Sequence, residues 1–594
     1  MRQTFAKLRF ALTASAAAGC LVAASSAVAA DISAQRLKNA DAEPQNWLLP
    51  FGNYSSWSHS SLKLIDRSNV GNLKVAFMIG IGGTNPSSVG GATPGQRARP
   101  VVADGFMYVH NAWSQVLKID VSKGNQAQIA WMNDPAVAAA ESKPGSVALL
   151  GNGVFNATRN DMRLVKIDAE SGATVFDVPF RGPDNAKAAE RATAGSLAVN
   201  NQIITGAAGP AMRGWLGALD ADTGKLKWRF YTIPGPGEPG HETWQDNHNA
   251  YLTGGAGVWT TPSYDAATNL VIFGTGEAQP WADQSFHPGD NLYALSNVAV
   301  NADTGKLAWY FQEVPQETWD YDTVSTKVLY DIVVNGQTRK TMGTFSRNGF
   351  YYNVDRNNGQ FLFASPYRDV NWTAGIDPKT GKPVEYNPNQ AIQTYANNKT
   401  LQVGKPDSGQ NVCPAIASPT WWPAAYDPDR QMAWIQTTDL CLNQKIDQRV
   451  DPTRTDLAGN PGMWGGGNFW TFTNTKPNGA GLLVGVDAKN GQKKQELVTQ
   501  WPMLSGLLGT AGGLLFAGHP DGKVAAYDKD TLKEVWSFNI GTPISAPPIA
   551  YSVGGKEYIA VVAGGVKGGG AVGQPAGPIL GAYQQASMIV VFGL

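Results

Sequence analysis

One short pattern recurs along almost the whole chain and constrains its fold more than any other feature. An apolar segment ends in Asp or Asn, a polar turn containing Gly follows, and a second segment often ends in Trp. The clearest copies span 216–228 and 298–309. In an Asp-x-x-x-Gly turn the carboxylate accepts backbone N–H groups, and the glycine takes up a positive φ. Each copy therefore predicts a β-hairpin.

The spacing of the copies predicts the architecture. The acidic or amide residue falls at Asp120, Asp168, Asp220, Asn301, Asp355, Asp487 and Asp528, with variant copies starting at Tyr264 and Tyr426. Intervals of about 40–50 residues match a four-stranded propeller blade. With 67 Gly, 19 Trp and only 16% charged residues, the chain has the composition of short strands joined by tight turns. We predict an all-β, eight-bladed β-propeller of four-stranded antiparallel blades, one domain spanning 31–594.

The first 30 residues differ from the rest and predict an export signal. Arg2, Lys7 and Arg9 precede an apolar, small-residue stretch that ends in an Ala-Val-Ala cleavage pattern. The alternatives are an N-terminal membrane anchor and a lipoprotein attachment at Cys20, both disfavoured by the residues around them. We expect a periplasmic protein. Removal of the signal leaves Cys413 and Cys441, and two cysteines in an oxidising compartment most simply form one disulfide.

The charge balance and the missing motifs exclude several classes of function. The 47 basic and 47 acidic side chains give a net charge of zero, which argues against nucleic-acid binding. No apolar stretch after the signal reaches the roughly 18 residues needed to span a bilayer. The sequence contains no C-x-x-C-H, so it predicts no covalently attached haem. Any electrons that the protein handles are expected to leave through a partner.

Four segments, 230–244, 319–322, 347–350 and 510–516, resemble those of a known family. The chain is similar to the pyrroloquinoline quinone (PQQ)-dependent alcohol dehydrogenases, eight-bladed quinoproteins that include the methanol dehydrogenases. The resemblance implies oxidation of an alcohol, hydride transfer to PQQ beside a bound metal ion, and a soluble cytochrome c as the electron acceptor.

Two carboxylates in Trp319-Asp320-Tyr321-Asp322 carry the strongest chemical signal. Alternation in a strand would place both on one face, where their repulsion calls for a hard cation. A solvated hairpin turn is the alternative. By resemblance, Asp320 is the base that removes the alcohol proton, and Asp322 matches the additional carboxylate of lanthanide-using members.

The other metal positions depart from the family. Glu277 stands where relatives have an asparagine ligand, and Gly209 falls near their glutamate ligand. We therefore expect Glu277 to replace the missing charge, so that Glu277, Asp320 and Asp322 bind Ca²⁺ or a lanthanide ion.

The cofactor residues also follow from the resemblance. Trp259 matches the indole floor under the quinone, with an ordinary core tryptophan as the alternative. Arg347 matches the cation beside the reactive carbonyl, with a structural ion pair as the alternative. Further cofactor contacts are expected from Thr193, Ser196, Ala207, Ala208 and Asn348.

The other face of the quinone departs from the family. Relatives cover it with a pair of adjacent cysteines, but the corresponding stretch, 145–153, has none. Their arginine for the cofactor's carboxylates is also missing, and Asn152 is the nearest residue. Trp421 and Trp422 are expected to shape an apolar path for a bulky alcohol.

Two other functions fit parts of the sequence. A non-catalytic propeller scaffold fits the missing ligand at Gly209 and the missing cysteines, whereas the retained Trp259, Asp320, Asp322 and Arg347 oppose it. A quinoprotein sugar dehydrogenase fits the fold, but the Trp-Asp-Tyr-Asp segment disfavours it.

Overall fold

The computed structural model describes residues 31–83, 95–140, 145–182, 190–334, 336–415, 419–446, 468–476, 479–565 and 586–594. The predicted signal, 1–30, lies outside these residues. The described chain forms eight four-stranded antiparallel sheets, named here blades 1 to 8, as the repeat predicts. Two blades carry an additional short strand at one edge.

The strands of each blade run from a buried inner strand to a more exposed outer one. Blades 1 to 4 consist of Val101–Ala103, Phe106–His110, Val116–Asp120 and Gln128–Asn133; Ala148–Leu150, Gly153–Ala157, Arg163–Asp168 and Thr174–Pro179; Leu197–Val199, Gln202–Ala208, Trp215–Asp220 and Leu226–Tyr231; and Ser263–Asp265, Leu270–Gly274, Ser296–Asn301 and Leu307–Gln312. Blades 5 to 8 consist of Val328–Val334, Gln337–Phe345, Phe350–Asp355 and Phe361–Pro366; Ala425–Asp427, Met432–Thr438, Gly481–Asp487 and Lys493–Thr499; Leu507–Thr510, Leu514–Gly518, Lys523–Asp528 and Glu534–Asn539; and Ile549–Val553, Lys556–Ala563, Met588–Gly593 and Lys74–Gly80.

Short elements lie outside this pattern. The further strands are His59–Ser60, Arg191–Ala192, Met212–Arg213, Gly254–Gly255, Leu440–Ile446 and Asn468–Asn474. The helical elements are the α-helix Ala34–Lys38 and the 3₁₀ turns Ala40–Ala42, Val70–Asn72, His241–Thr243, Ala250–Leu252 and Gln284–Phe286. Within the described residues, no helix has the length and apolar character needed to cross a membrane.

Blade 8 joins the two ends of the chain. Its outer strand, Lys74–Gly80, pairs antiparallel with Met588–Gly593, more than 500 residues later in the sequence. The N-terminal segment thus completes the last blade. Blade 8 is therefore the one blade whose outer strand is not joined to its third strand by the repeated turn.

The tryptophan and the glycine of the repeat meet between neighbouring blades. Trp228, on the outer strand of blade 3, donates its indole N–H to the carbonyl of Ala302 in blade 4 at 2.8 Å. Gly305 lies against the same ring: a Cβ at this residue would be 2.5 Å from an indole carbon. The same arrangement joins Trp131 to Gly172 and Trp309 to Gly359. The repeated residues therefore join blade 1 to blade 2, blade 3 to blade 4 and blade 4 to blade 5.

The variant copies of the repeat occupy a different turn. Tyr264-Asp265 and Tyr426-Asp427 end the first strands of blades 4 and 6, whereas the other copies end third strands. Both carboxylates still accept backbone N–H groups of their own turn. Asp265 also binds Arg356, and Asp427 binds Lys529, each in the following blade. Their resemblance to the repeat is thus local, and their side chains join adjacent blades.

The long gap in the repeat holds blade 6 and an insertion. Residues 367–424 connect blades 5 and 6, and the hairpin formed by Leu440–Ile446 and Asn468–Asn474 projects from blade 6. Cys413 and Cys441 form a disulfide between insertion and hairpin, 28 residues apart in sequence, as the cysteine count predicts.

Candidate active site

The predicted site residues lie at one end of the propeller. Residues that precede an inner strand and residues that follow a second strand share an end, because the strands of a blade alternate in direction. Trp259 precedes the inner strand of blade 4, and Asp320 and Asp322 precede that of blade 5. Glu277 follows the second strand of blade 4, and Arg347 follows that of blade 5. The ring of blades therefore brings these distant parts of the sequence together.

Three carboxylates form the acidic cluster of the site: Glu277, Asp320 and Asp322. One ligand oxygen from each lies within 4.8 Å of the others. The spacing of the two aspartates predicts a strand, but both lie in an irregular loop. Asp320 has a φ of 60° in this loop. Glu317 shapes this loop, since its carboxylate accepts the backbone N–H groups of Trp319 and Tyr321.

Burial and mutual repulsion determine the protonation of the acidic cluster. Burial and the negative charges of Asp322 and Asp320 raise the pKa of Glu277 well above its usual value. Burial also raises the pKa of Asp320 to about 7, although the Arg347 guanidinium opposes the shift. An all-oxygen set of crowded carboxylates fits a hard, multiply charged cation, which would neutralise them and satisfy its preference for oxygen ligands.

Arg347 connects the acidic cluster to the indole of Trp259. Its Nη1 donates to Asp320 Oδ1 at 2.7 Å and lies 3.3 Å from Asp322 Oδ2. The guanidinium carbon is 5.0 Å from the centroid of the Trp259 ring. The sequence left two interpretations of Arg347, a cation beside the reactive carbonyl and a structural ion pair. Arg347 does form an ion pair, but its partners are the predicted site carboxylates Asp320 and Asp322.

Trp259 is fixed by backbone contacts of the residues before it and by a hydrogen bond to Asp322. The indole Nε1 donates to Asp322 Oδ2 at 2.9 Å. The preceding Val258 donates its N–H to the Ala207 carbonyl at 3.0 Å. At Gly257, a Cβ would be 2.4 Å from Ala208, so only glycine permits this approach of the strands. Trp259 is half-buried and lines a cavity, which disfavours its interpretation as an ordinary core tryptophan.

A cavity lies beside Trp259. Gly145 and Ser146 line it together with Trp259, so small residues occupy the place where relatives were expected to have a cysteine pair. Trp421, Arg97 and Arg99 also line it. An indole wall, small opposing residues and cationic side chains fit a flat, negatively charged ring compound.

The remaining predicted cofactor residues differ in their surroundings. Thr193 donates its hydroxyl to the Val258 carbonyl at 3.1 Å, beside Trp259. The hydroxyl of Ser196 is buried without a hydrogen-bond partner among the described residues. Asn348 donates to the Tyr352 hydroxyl at 3.1 Å and is fully buried. Ala207 and Ala208 pack under the Trp259 strand, as described above. The contacts of these five residues with a cofactor remain predictions.

Three features of the site differ from the sequence analysis. Trp422 is fully buried and donates its indole N–H to the Gln436 carbonyl, so of the two tryptophans Trp421 alone lines the cavity. Asn152 is exposed and donates its side-chain N–H to the carboxylate of Asp168. It therefore does not take the place of the arginine that binds the cofactor's carboxylates in relatives. Glu317, which shapes the loop of the two aspartates, and Arg97, at the cavity wall, were not predicted from the sequence. Glu317 could have been noticed as an acidic residue two positions before Trp319, whereas Arg97 has no such signal.

Comparison with known proteins agrees with this geometry. Residues 47–408 and 475–559 match the sequence model of the PQQ family described as glucose/ethanol/alcohol dehydrogenase, beta-propeller domain. The dehydrogenase subunit of alcohol dehydrogenase (quinone) from Komagataeibacter europaeus is 31% identical over 89% of this chain and 72% of its own. A europium-containing methanol dehydrogenase superposes with a TM-score of 0.82 and 26% identity, covering 94% of this chain and 100% of its own. The quinohemoprotein alcohol dehydrogenase ADHIIG from Pseudomonas putida HK5 superposes with a TM-score of 0.81 and 29% identity, covering 95% of this chain and 83% of its own.

Proposed function

Since the chain belongs to the family of PQQ-dependent glucose, ethanol and alcohol dehydrogenases, we propose that it oxidises an alcohol to an aldehyde or ketone in the periplasm, with Asp320 as the base. The observation that carries this proposal is the contact of the acidic cluster with Arg347 and Trp259 at the wall of one cavity. A propeller scaffold that had lost its chemistry would have no reason to keep three crowded carboxylates, two of them buried.

Glu277, Asp320 and Asp322 would hold the metal ion. Glu277 supplies the carboxylate that is missing at Gly209, since its backbone is fixed beside the Trp259 strand by the bond from Ala256 N–H to the Glu277 carbonyl. Asp322 Oδ1 accepts the N–H of Glu277 at 2.7 Å, which holds the two carboxylates together. Three carboxylates suit a trivalent lanthanide ion as well as Ca²⁺.

Asp320 is the member of the acidic cluster that is best placed to take a proton from a substrate. Its side chain is 22% exposed, compared with 6% for Asp322 and 7% for Arg347. Arg347 holds it through two hydrogen bonds, to its carboxylate and to its carbonyl, and so fixes its direction. When bound, PQQ supplies a two-electron acceptor and the cation a Lewis acid. Asp320 would remove the hydroxyl proton.

The sequence supports the proposed compartment, and the resemblance supports the proposed electron acceptor. The predicted export signal at 1–30 supports a periplasmic location. A soluble cytochrome c, which the resemblance implies, is the proposed acceptor, taking the electrons one at a time. Trp421, at the cavity wall, favours an alcohol bulkier than methanol.

Reconstitution tests the proposed function. The apo-protein is mixed with PQQ and either Ca²⁺ or La³⁺, and dye reduction is followed with a panel of primary, secondary and cyclic alcohols and of sugars. We expect turnover with alcohols that requires both PQQ and metal. Turnover with sugars alone would replace the alcohol by a sugar substrate. No turnover, and no quinone absorbance retained after gel filtration, would refute the proposal.

The variant D320N separates catalysis from binding. Removal of a general base lowers kcat by about 100-fold or more, while PQQ should remain bound because Trp259 and Arg347 are unchanged. Full turnover by D320N would show that Asp320 is not the base.

A further inference from the structure

The two aromatic residues that alternate with the site aspartates contact the insertion between blades 5 and 6. Trp319 donates its indole N–H to the Lys399 carbonyl at 2.7 Å, and Tyr321 donates its hydroxyl to the Pro414 carbonyl at 2.6 Å. Both aromatic side chains are fully buried. The irregular loop that carries the two aspartates is therefore attached to the insertion through its aromatic side chains.

Pro414, which accepts the Tyr321 hydroxyl, directly follows a cysteine of the disulfide. The bond between Cys413 and Cys441 links this part of the insertion to the hairpin of blade 6. Cys413 also donates its N–H to Asn371 Oδ1 at 2.9 Å and accepts the Asn371 N–H at 3.0 Å. The residues on either side of Cys413 and Pro414 pair with the hairpin through backbone hydrogen bonds. The disulfide thus reinforces a segment that is already fixed at several points.

The same insertion also holds the turn that carries Arg347. Trp372 packs on Tyr321, with ring centroids 5.8 Å apart, and donates its indole N–H to the Asn348 carbonyl at 2.8 Å. The Nε of Arg347 donates to the Pro419 carbonyl at 3.3 Å. The insertion therefore contacts both halves of the ion pair in the site, the aspartate loop and the arginine turn.

Side chains that bind a metal ion or move a proton need a fixed position. A misplacement of about 1 Å can lower a catalysed rate about 100-fold. A loop without strand pairing depends on individual contacts for such precision, and Tyr321 lies between the two aspartates. Loss of its hydroxyl would leave the Pro414 carbonyl without this donor and would free the loop at that residue.

We propose that Tyr321 is a positioning residue for Asp320 and Asp322. By anchoring their loop to Pro414, it makes the geometry of the two carboxylates depend on the disulfide beside Pro414. This inference rests on the proposed function, in which the two aspartates bind the metal ion and Asp320 is the base.

The first test is the binding of La³⁺ to the apo-protein, measured by isothermal titration calorimetry. Y321F removes only the hydroxyl and should raise the La³⁺ Kd about 10-fold, because the aspartates on either side lose their fixed geometry. The matched control is Y54F. Tyr54 is also buried and donates its hydroxyl to a backbone carbonyl at 2.6 Å, but its acceptor is Ala198 in blade 3. Y54F should bind La³⁺ like wild type, and an unchanged Kd in Y321F would overturn the proposal.

The second test removes the disulfide. The variant C413A/C441A leaves no free thiol and should raise the La³⁺ Kd about 5-fold. Adding Y321F to it should leave the total increase at about 10-fold, because both changes break the same connection. Effects that multiply, or an unchanged Kd in C413A/C441A, would overturn the proposal. Should C413A/C441A fail to fold, the comparison of Y321F with Y54F decides.

Turnover at saturating PQQ and La³⁺ distinguishes positioning from a structural role. Y321F should lower kcat about 10-fold with an unchanged KM for the alcohol, because a misplaced base acts in the transition state. Y54F should keep both values. A lower unfolding temperature of Y321F without any change in kcat would make Tyr321 a structural residue and overturn the proposal. If wild type shows no turnover, the proposed function fails, and the La³⁺ titrations still test Tyr321.

Discussion

Replacing Glu277 by glutamine is the sharpest test of the acidic cluster. The substitution keeps the shape of the side chain and removes one of three carboxylates whose ligand oxygens lie within 4.8 Å of one another. In the apo-protein these carboxylates repel, so E277Q should not lower the unfolding temperature. In the metal-bound protein it removes one anionic ligand, so it should weaken metal binding. The two states therefore respond differently to one change.

The size of the effect follows from elementary electrostatics. A divalent ion about 2.5 Å from a carboxylate oxygen is attracted by about 13 kcal/mol at an effective dielectric constant of about 20. Loss of hydration costs several kcal/mol for each ion and cancels most of this attraction. A net loss of roughly 3 kcal/mol remains, which corresponds to an increase in metal Kd of about 100-fold.

The assay is thermal unfolding with and without metal. At a metal concentration of about 1,000 times the wild-type Kd, binding stabilises wild type by about 4 kcal/mol and E277Q by only about 1.4 kcal/mol. With about 2.1 cal/mol/K of unfolding entropy per residue over roughly 560 residues, this difference corresponds to about 2 °C.

The control for E277Q is Glu557→Gln, which alters another buried carboxyl in blade 8 that accepts the Ile65 N–H. That variant should lower the unfolding temperature equally with and without metal. Equal metal-induced shifts in E277Q and wild type would refute the assignment of Glu277 as a ligand.

Three further predictions concern the blades, the disulfide and the indole. Gly305→Ala should destabilise the protein by about 3 kcal/mol, because the φ of Gly305 is +67° and the new Cβ would press on Trp228. The control Gly336→Ala has a φ of +77° but open space around its Cβ, so it should cost only about 1 kcal/mol. Equal shifts of the two variants in thermal unfolding would refute the contact with Trp228. Cys413→Ser should lower the free energy of unfolding by roughly 3.5 kcal/mol, because the unfolded chain gains loop entropy. Urea unfolding with and without reductant measures this, and reductant should destabilise wild type but not the variant. A reductant effect in the variant would contradict the prediction. Trp259→Leu should raise the PQQ Kd about 10-fold in equilibrium dialysis; an unchanged Kd would place the ring elsewhere.

The blades could be predicted because their signal is local. An Asp, a glycine four residues later and a nearby tryptophan define a hairpin within about a dozen residues, and each turn is stabilised by its own hydrogen bonds. Repetition of that unit at blade-length intervals then gives the number of blades. The local signal also explains the two misplaced copies: Tyr264-Asp265 and Tyr426-Asp427 look like the repeat but end first strands.

The candidate site was predicted in its residue types, and only partly in its geometry. The resemblance pointed to Glu277, Asp320 and Asp322, which the structure brings together. The expected strand alternation was wrong, because Glu317 bends the loop that carries the two aspartates. Trp421 and Trp422 are adjacent in sequence, and only their packing separates a cavity wall from a core residue.

The sequence by itself determined the repeating hairpins and the adjacent carboxylates Asp320 and Asp322, because these depend on neighbours along the chain. Only the tertiary structure decided that Lys74–Gly80 completes blade 8 and that Glu277 meets Asp322. Those contacts join residues dozens to hundreds of positions apart. They arise when the blades close into a ring, which no local pattern of residues specifies.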